Sequence, residues 1–245
     1  MRGELIFGVN PVKESLQGTR GAFNLYVQIS ATDHRVEKII RLAEERCVAV
    51  HRRDKIDLTK MCASSHHQGI ALEVEPFQYT DFDDLLTSIG QSGTAGFILV
   101  LDAIQDPHNL GALIRSAACA GVDGVVIPKD RACGITAAAE KTSAGAVETV
   151  PVALVTNIAQ TLETLKKLGY WVYGLDGSAR QSVYGTDFSG NVVLVVGGEG
   201  DGIRPLVRKQ CDVVMSIPQY GGVSSLNASV AGGIALFEIA KGVRG

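Results

Sequence analysis

Three stretches of this sequence set polar side chains among glycines or small residues in patterns that suit chemistry as well as packing. The first, DAIQDPHNLGALIRSA (102–117), ends an apolar run and opens a helix whose Leu110, Leu113, Ile114, Ala117 and Ala118 form one stripe. At 100° per residue Arg115 lies about 140° around from Leu110, off that stripe, and Asn109 falls at the exposed first turn. The second, GGEGDGIRP (197–205), follows the run VVLVV. Its glycines miss the G-x-G-x-x-G register of a dinucleotide fold, it lacks the Gly-Lys-Ser/Thr of a phosphate loop, and Glu199 and Asp201 would repel a pyrophosphate. Such a loop suits close backbone approach to a neutral or cationic ligand, a sulfonium among them. The third, IPQYGGVSSLNASVAGGIALFEIAK (217–241), passes from a strand end through a glycine turn into a small-residue helix. Ser225, Asn227 and Ser229 crowd its first turn, where free N–H groups and the positive helix end receive polar ligands. Each stretch alone also fits ordinary capping and tight turns.

What singles them out is the scaffold expected to hold them. From residue 97 the pattern alternates buried runs and helices: strands 97–102, 124–128, 150–155, 171–175, 191–197 and 213–218, with helices over 109–120, 136–145, 158–167 behind Asn157, after Pro205, and from Leu226 to Lys241. Continuous apolar strands separated by helices imply an α/β fold, a parallel sheet with helices on both faces. Ligands of such sheets bind beyond the carboxyl ends of the strands, so the loops after Asp102, Gly174, Val196 and Ile217 are where chemistry is expected. Before residue 77 a smaller α/β unit is expected. Asn10 is read as the cap of a helix that ends at Gly18, followed by a strand over 24–30, a helix over 34–46 through Val36, Ile39, Ile40 and Ala43, and strands at 47–51 and 69–74. The text QYTDFDDLLTSIGQSGTAG (78–96) reads as a connector with one short helix. The division is therefore 1–76, a linker at 77–95, and 96–245.

With 46% hydrophobic and 20% charged residues in 245, the chain has ordinary globular composition. No stretch offers the ~20 apolar residues of a membrane span, so no membrane partner and a cytoplasmic location are expected. A net charge of −3 argues against non-specific coating of nucleic acid. The first 78 residues nonetheless hold eleven Lys and Arg against ten Asp and Glu, which permits a local RNA-facing patch around Arg52, Arg53 and Lys55. Five scattered cysteines lack paired spacing, and His51, His66 and His67 have no carboxylate or cysteine at ligand spacing, so no metal is expected.

Taken together and in order, the three stretches resemble the signature motifs of the SpoU (TrmH-type) branch of the SPOUT methyltransferases, which modify ribose 2′-hydroxyls of RNA. The resemblance covers 96–245. Residues 1–76, with FGVNPVKESL and HHQGIALEV, resemble the ribosomal-protein-like substrate domain of the branch that methylates a guanosine of large-subunit ribosomal RNA. Gln219 and Ala228 depart from the Met and Val usual in the third motif. The resemblance implies S-adenosyl-L-methionine as cofactor, ribosomal RNA or alternatively transfer RNA as substrate, a homodimer with the site at its interface, and a C-terminal trefoil knot. It assigns Arg115, Asn109, Glu199, Ser225 and Asn227 to the RNA and catalytic side, and Leu175, Gly198, Ile217 and Leu226 to the cofactor. Arg115 is open to two roles, general base or cationic clamp, because a guanidinium gives up its proton only with difficulty. A non-catalytic RNA-binding assembly factor is the alternative from another class; a nicotinamide-dependent dehydrogenase fails on the glycine spacing.

Overall fold

The computed structural model describes residues 3–18, 20–30, 34–200, 202–222 and 225–245. Two compact units emerge, one of Met1–Gln78 with Ile135–Thr149, the other of Tyr79–Gly134 with Val150–Gly245.

The first unit is built on β1 (Glu4–Phe7), α1 (Val9–Gln17), β2 (Ala22–Gln28), α2 (His34–Glu45), β3 (Ala49–Arg53), α3 (Lys55–Cys62) and β4 (Ile70–Val74). Its sheet runs β1-β4-β2-β3, antiparallel except for the β2/β3 pair. Val12, Leu16, Val36, Ile39 and Ala43 from α1 and α2 close one side of the sheet against Leu25, Val27 and Leu72, and Leu58 and Cys62 of α3 close the other against Phe7 and Ala71. Helix α1 begins at Val9, not after an Asn10 cap: Gly8 turns the chain at φ 99° and Gln68 Oε1 accepts the Val9 N–H at 2.9 Å. The cap is supplied from a residue distant in sequence, which local spacing does not reveal. Strand β1 and helix α3 were not anticipated either.

The second unit starts with α4 (Phe82–Gln91), capped by Asp81, and continues through β5 (Phe97–Asp102), α5 (Pro107–Cys119) and β6 (Gly124–Pro128). The chain then forms α6 (Ala137–Ser143) and a 3-10 turn at Ala146–Glu148, both within the first unit, before returning as β7 (Val152–Val155), α7 (Ile158–Lys167), β8 (Trp171–Leu175), β9 (Gln181–Ser182), β10 (Val192–Gly197), α8 (Pro205–Arg208), β11 (Val213–Ser216) and α9 (Ala228–Val243). All seven strands are parallel, in the order β7-β6-β5-β10-β8-β11-β9. Leu85, Ile89, Ile158, Leu162, Leu165 and Val207 of α4, α7 and α8 cover one face, where Ile98, Val100, Val193 and Val195 project. Helices α5 and α9 pack together, and α9 lies along β10 and β8. Their approach needs Gly232, where a Cβ would stand 2.3 Å from Leu113 Cδ2 and 3.5 Å from Val196 Cγ2.

Two boundaries differ from the sequence division. The connector 77–95 contributes a core helix, α4, to the second unit. The span 135–149, read as part of the catalytic region, belongs with the first. There Arg20 donates to Glu140 Oε1 at 2.6 Å, to Glu148 Oε1 at 3.3 Å and to the Glu75 carbonyl at 2.6 Å, and it pairs with Glu4. Burial pushes the Glu140 carboxyl up to about 7 against the opposing pull of Arg20, with Glu4 and Glu148 adding repulsion.

Candidate active site

Asp106 caps α5 by accepting the His108 N–H at 3.0 Å, with Pro107 in the first turn. That start makes Asn109 the third residue of α5, in the first turn as its spacing suggested, but buried at 5% exposure and not exposed. Its Nδ2 donates to Glu199 Oε1 at 2.6 Å, and its Oδ1 accepts from Asn227 Nδ2 at 3.0 Å. Asn227 Nδ2 also donates to Glu199 Oε1 at 3.0 Å, while its Oδ1 caps α9 through the N–H groups of Ser229 and Val230. One residue from each of the three stretches thus meets the other two.

The glycines at and beyond the end of β10 are required first by the protein's own chain. A Cβ on Gly198 would lie 2.4 Å from the Ala103 carbonyl oxygen, and one on Gly197 would lie 2.1 Å from the Gly202 carbonyl carbon. Gly200 and Gly202 hold φ of 89° and 64°, left-handed backbone that glycine adopts freely. Asp201, counted with Glu199 in the charge argument above, lies outside the described residues, as do Val223 and Ser224. Sequence reasoning missed the clasp that holds this loop down: Asp102, wholly buried at the end of β5, accepts from Arg204 N at 2.9 Å and Arg204 Nε at 2.8 Å. The available signal was a carboxylate ending a buried strand.

Beyond the ends of β8, β10 and β11 lies a cavity of about 550 Å³. All four residues expected at the cofactor, Leu175, Gly198, Ile217 and Leu226, line it, and so do Glu199, Ser225 and Asn227. Gln219 and Ala228, the departures in the third stretch, line it too. The Asp176 carboxylate on the same wall is engaged by Ser178 and Arg208, so among the described residues lining the cavity Glu199 is the acid left to complement a cation. Apolar side chains for a flat heterocycle, glycine backbone for its polar edge and one oriented carboxylate fit S-adenosylmethionine better than a pyrophosphate cofactor.

Arg115 stands apart. Six residues beyond Asn109 on α5, it is displaced about 9 Å along the helix and about 120° around it. It is exposed, lines neither this cavity nor a second one of about 520 Å³ that takes in Asn109 and Arg204, and has no hydrogen bond or ion pair among the described residues. Among the described residues no cluster of His, Cys, Asp and Glu is suited to a metal ion. His51 bonds Asn24, and His67 accepts the Gly69 N–H. Among the described residues no helix is long and apolar enough to cross a membrane.

A parallel sheet whose carboxyl-edge loops converge on one carboxylate and a glycine-walled cavity makes an α/β domain with its ligand site at that edge. The chain belongs to the SpoU rRNA methylase family, whose model matches residues 96–237; the model for RNA 2′-O ribose methyltransferase substrate binding matches residues 5–80. The chain is 40% identical over 241 residues to the 23S rRNA (guanosine-2′-O-)-methyltransferase RlmB of Xylella fastidiosa (strain 9a5c), covering 98% of this chain and 97% of that one. It is 42% identical over 239 residues to an uncharacterized tRNA/rRNA methyltransferase of Mycolicibacterium vanbaalenii, covering 97% and 76%. Its fold resembles the SpoU methyltransferase AviRb from Streptomyces viridochromogenes, solved in complex with AdoMet, with a TM-score of 0.79 at 21% identity over 97% of this chain and 89% of that one.

Proposed function

We propose that this protein transfers the methyl group of S-adenosylmethionine to a ribose 2′-hydroxyl of RNA, at a guanosine of large-subunit ribosomal RNA. The observation that carries this reading is the joining of Asn109, Glu199 and Asn227, the last two of which line the cavity of about 550 Å³. When bound, the cofactor supplies an electrophilic methyl group on a sulfonium. Leu175, Ile217 and Leu226 hold its apolar parts and the Gly198 backbone its polar edge. Glu199, fixed by two carboxamides, and Ser225 orient the acceptor ribose, which lowers the barrier by positioning. The guanosine and ribosomal RNA assignments draw support from the name of the Xylella relative. The bacterial origin of that relative supports a cytoplasmic location.

The distance of Arg115 from this cavity supports a homodimer, in which a second copy of α5 brings the missing cation. Val230 and Phe237 of α9 are half exposed beside it and offer apolar surface for that contact. A trefoil knot in the C-terminal segment accords with a cavity walled by the turns after β8, β10 and β11 together with the start of α9. Residues 1–76 serve as the RNA-binding part.

Labelled methyl transfer to unmodified ribosomal RNA transcripts, with the product mapped by mass spectrometry, tests the reaction. Methyl on a ribose of large-subunit RNA is expected; methyl only on transfer RNA would change the substrate, and no transfer despite cofactor binding would favour an assembly factor. Calorimetry should find affinity for S-adenosylmethionine and none for NAD. Light scattering should give about twice the 25.9 kDa chain mass.

A further inference from the structure

The turn after β6, Lys129-Asp130-Arg131, leaves the same carboxyl edge as the three motif loops but shares none of their patterns. Arg131 lines a second cavity of about 520 Å³, which also takes in Gln105, Asp106, Asn109, Glu199 and Arg204. The loops after β5, β6 and β10 meet there, at the point where successive strands part to the two sides of β5, the crevice in which open parallel sheets receive ligands. Arg131 holds left-handed backbone, φ 60°, although it is not glycine. Non-glycine residues kept in that region cluster at ligand sites, where the surroundings hold them against their preference. Its side chain is exposed and has no hydrogen bond or ion pair among the described residues, whereas Arg204 is matched by the buried Asp102.

The charges decide what the cavity takes. With Arg204 matched, the carboxylates of Asp106 and Glu199 outnumber Arg131, which disfavours a phosphate. A nucleobase is neutral and offers donors and acceptors together. Guanine alone sets two acceptors, O6 and N7, side by side for a planar arginine fork, and next to them the N1–H and N2–H groups that a carboxylate accepts. Adenine places a donor where O6 would be, and pyrimidines lack N7.

We propose that Arg131 selects guanine at the acceptor site, donating two N–H groups to O6 and N7 while the Asp106 carboxylate accepts from N1–H and N2–H. This rests on the ribose-methylation reading above and adds where the target base is held.

The test uses the full-length protein and ligated fragments of large-subunit ribosomal RNA in which the mapped guanosine is kept or replaced by 7-deazaguanosine or inosine. Wild type should lose roughly 10- to 100-fold in kcat/KM with 7-deazaguanosine, which lacks N7. Arg131→Gln should lose a similar factor on the natural RNA and no longer distinguish the two substrates, with cofactor affinity unchanged by calorimetry. Arg131→Lys, which keeps the charge without the fork, should not restore the discrimination. Asp106→Asn still caps α5 but should lose the preference for guanosine over inosine, which lacks the N2 amino group. If Arg131→Gln does not fold, Arg131→Gly, at ease with φ 60°, replaces it. An unchanged 7-deazaguanosine penalty in the Arg131 variant, no penalty in wild type, or methyl transfer to the ribose of a nucleoside other than guanosine would overturn the proposal. Absence of methyl transfer to any RNA by wild type would instead overturn the reading on which it rests.

Discussion

Asn109 Nδ2 donates to Glu199 Oε1 at 2.6 Å, joining α5 to the loop after β10 across 90 residues of chain. Asn227 donates to the same oxygen and to Asn109 Oδ1, so neither amide can turn without breaking a bond that the other shares. Glu199 keeps its second oxygen without a partner among the described residues, and it lines both cavities. A carboxylate oriented through one oxygen and open at the other is equipped to position a hydroxyl.

Asn109→Ala removes a buried donor to a carboxylate and should cost about 1–3 kcal/mol of stability in a denaturant titration. Asn109→Asp is the more informative change, because it sets a second carboxylate against Glu199. Like charges at that separation raise one pKa. The variant should therefore keep its activity at low pH, where the pair shares a proton, and lose it as pH rises. A flat pH profile relative to wild type would show that Glu199 does not depend on this contact.

Arg115→Ala should lower single-turnover methylation by roughly 10²–10⁴ if its side chain acts on the ribose oxygen or an adjacent phosphate. Cofactor affinity, measured by calorimetry, should not move, because Arg115 lies outside the cofactor cavity. Arg115→Lys separates the two roles. Activity that returns as pH approaches the lysine pKa marks a base, and a loss independent of pH marks the planar clamp.

Gly232→Ala places a methyl 2.3 Å from Leu113 Cδ2 and should push α9 off α5. Overpacking of this kind costs about 1–3 kcal/mol. The shift should appear in the urea midpoint and be partly relieved by adding Leu113→Val. If the dimer is built on these helices, light scattering of the same variant should also show weaker association.

The Arg20 cluster predicts a pH dependence of folding. The Glu140 carboxyl is raised from 4.5 to about 7 in the folded chain, mainly by burial, so the native state holds its proton more tightly than the unfolded chain. That contribution is fully present below pH about 4.5 and declines as pH rises through about 7. Glu140→Gln should flatten the loss of thermal stability between pH 5 and 8. A variant with the wild-type slope would assign the dependence to other groups.

Local sequence determined much of the scaffold. The runs at 97–102, 124–128 and 171–175 and the helix 158–167 behind Asn157 form as their periodicity and capping dictate. Glycines, amides and a carboxylate at strand ends marked the three loops, because parallel strands deliver such loops to one edge. Tertiary structure alone decided the rest. Periodicity reports that one side of a helix is apolar but not what will cover it, so nothing in 135–149 revealed that Glu140 would meet Arg20. Asn109 is polar and near a helix start, which reads as exposed; it is buried because Asn227 and Glu199 arrive from 118 and 90 residues away. Arg131 carries no pattern at all. Its placement in the second cavity follows from strand order, which sets β6 beside β5 and brings their loops together. Hydrogen bonds and charges between distant segments depend on that order, and local residue spacing does not encode it.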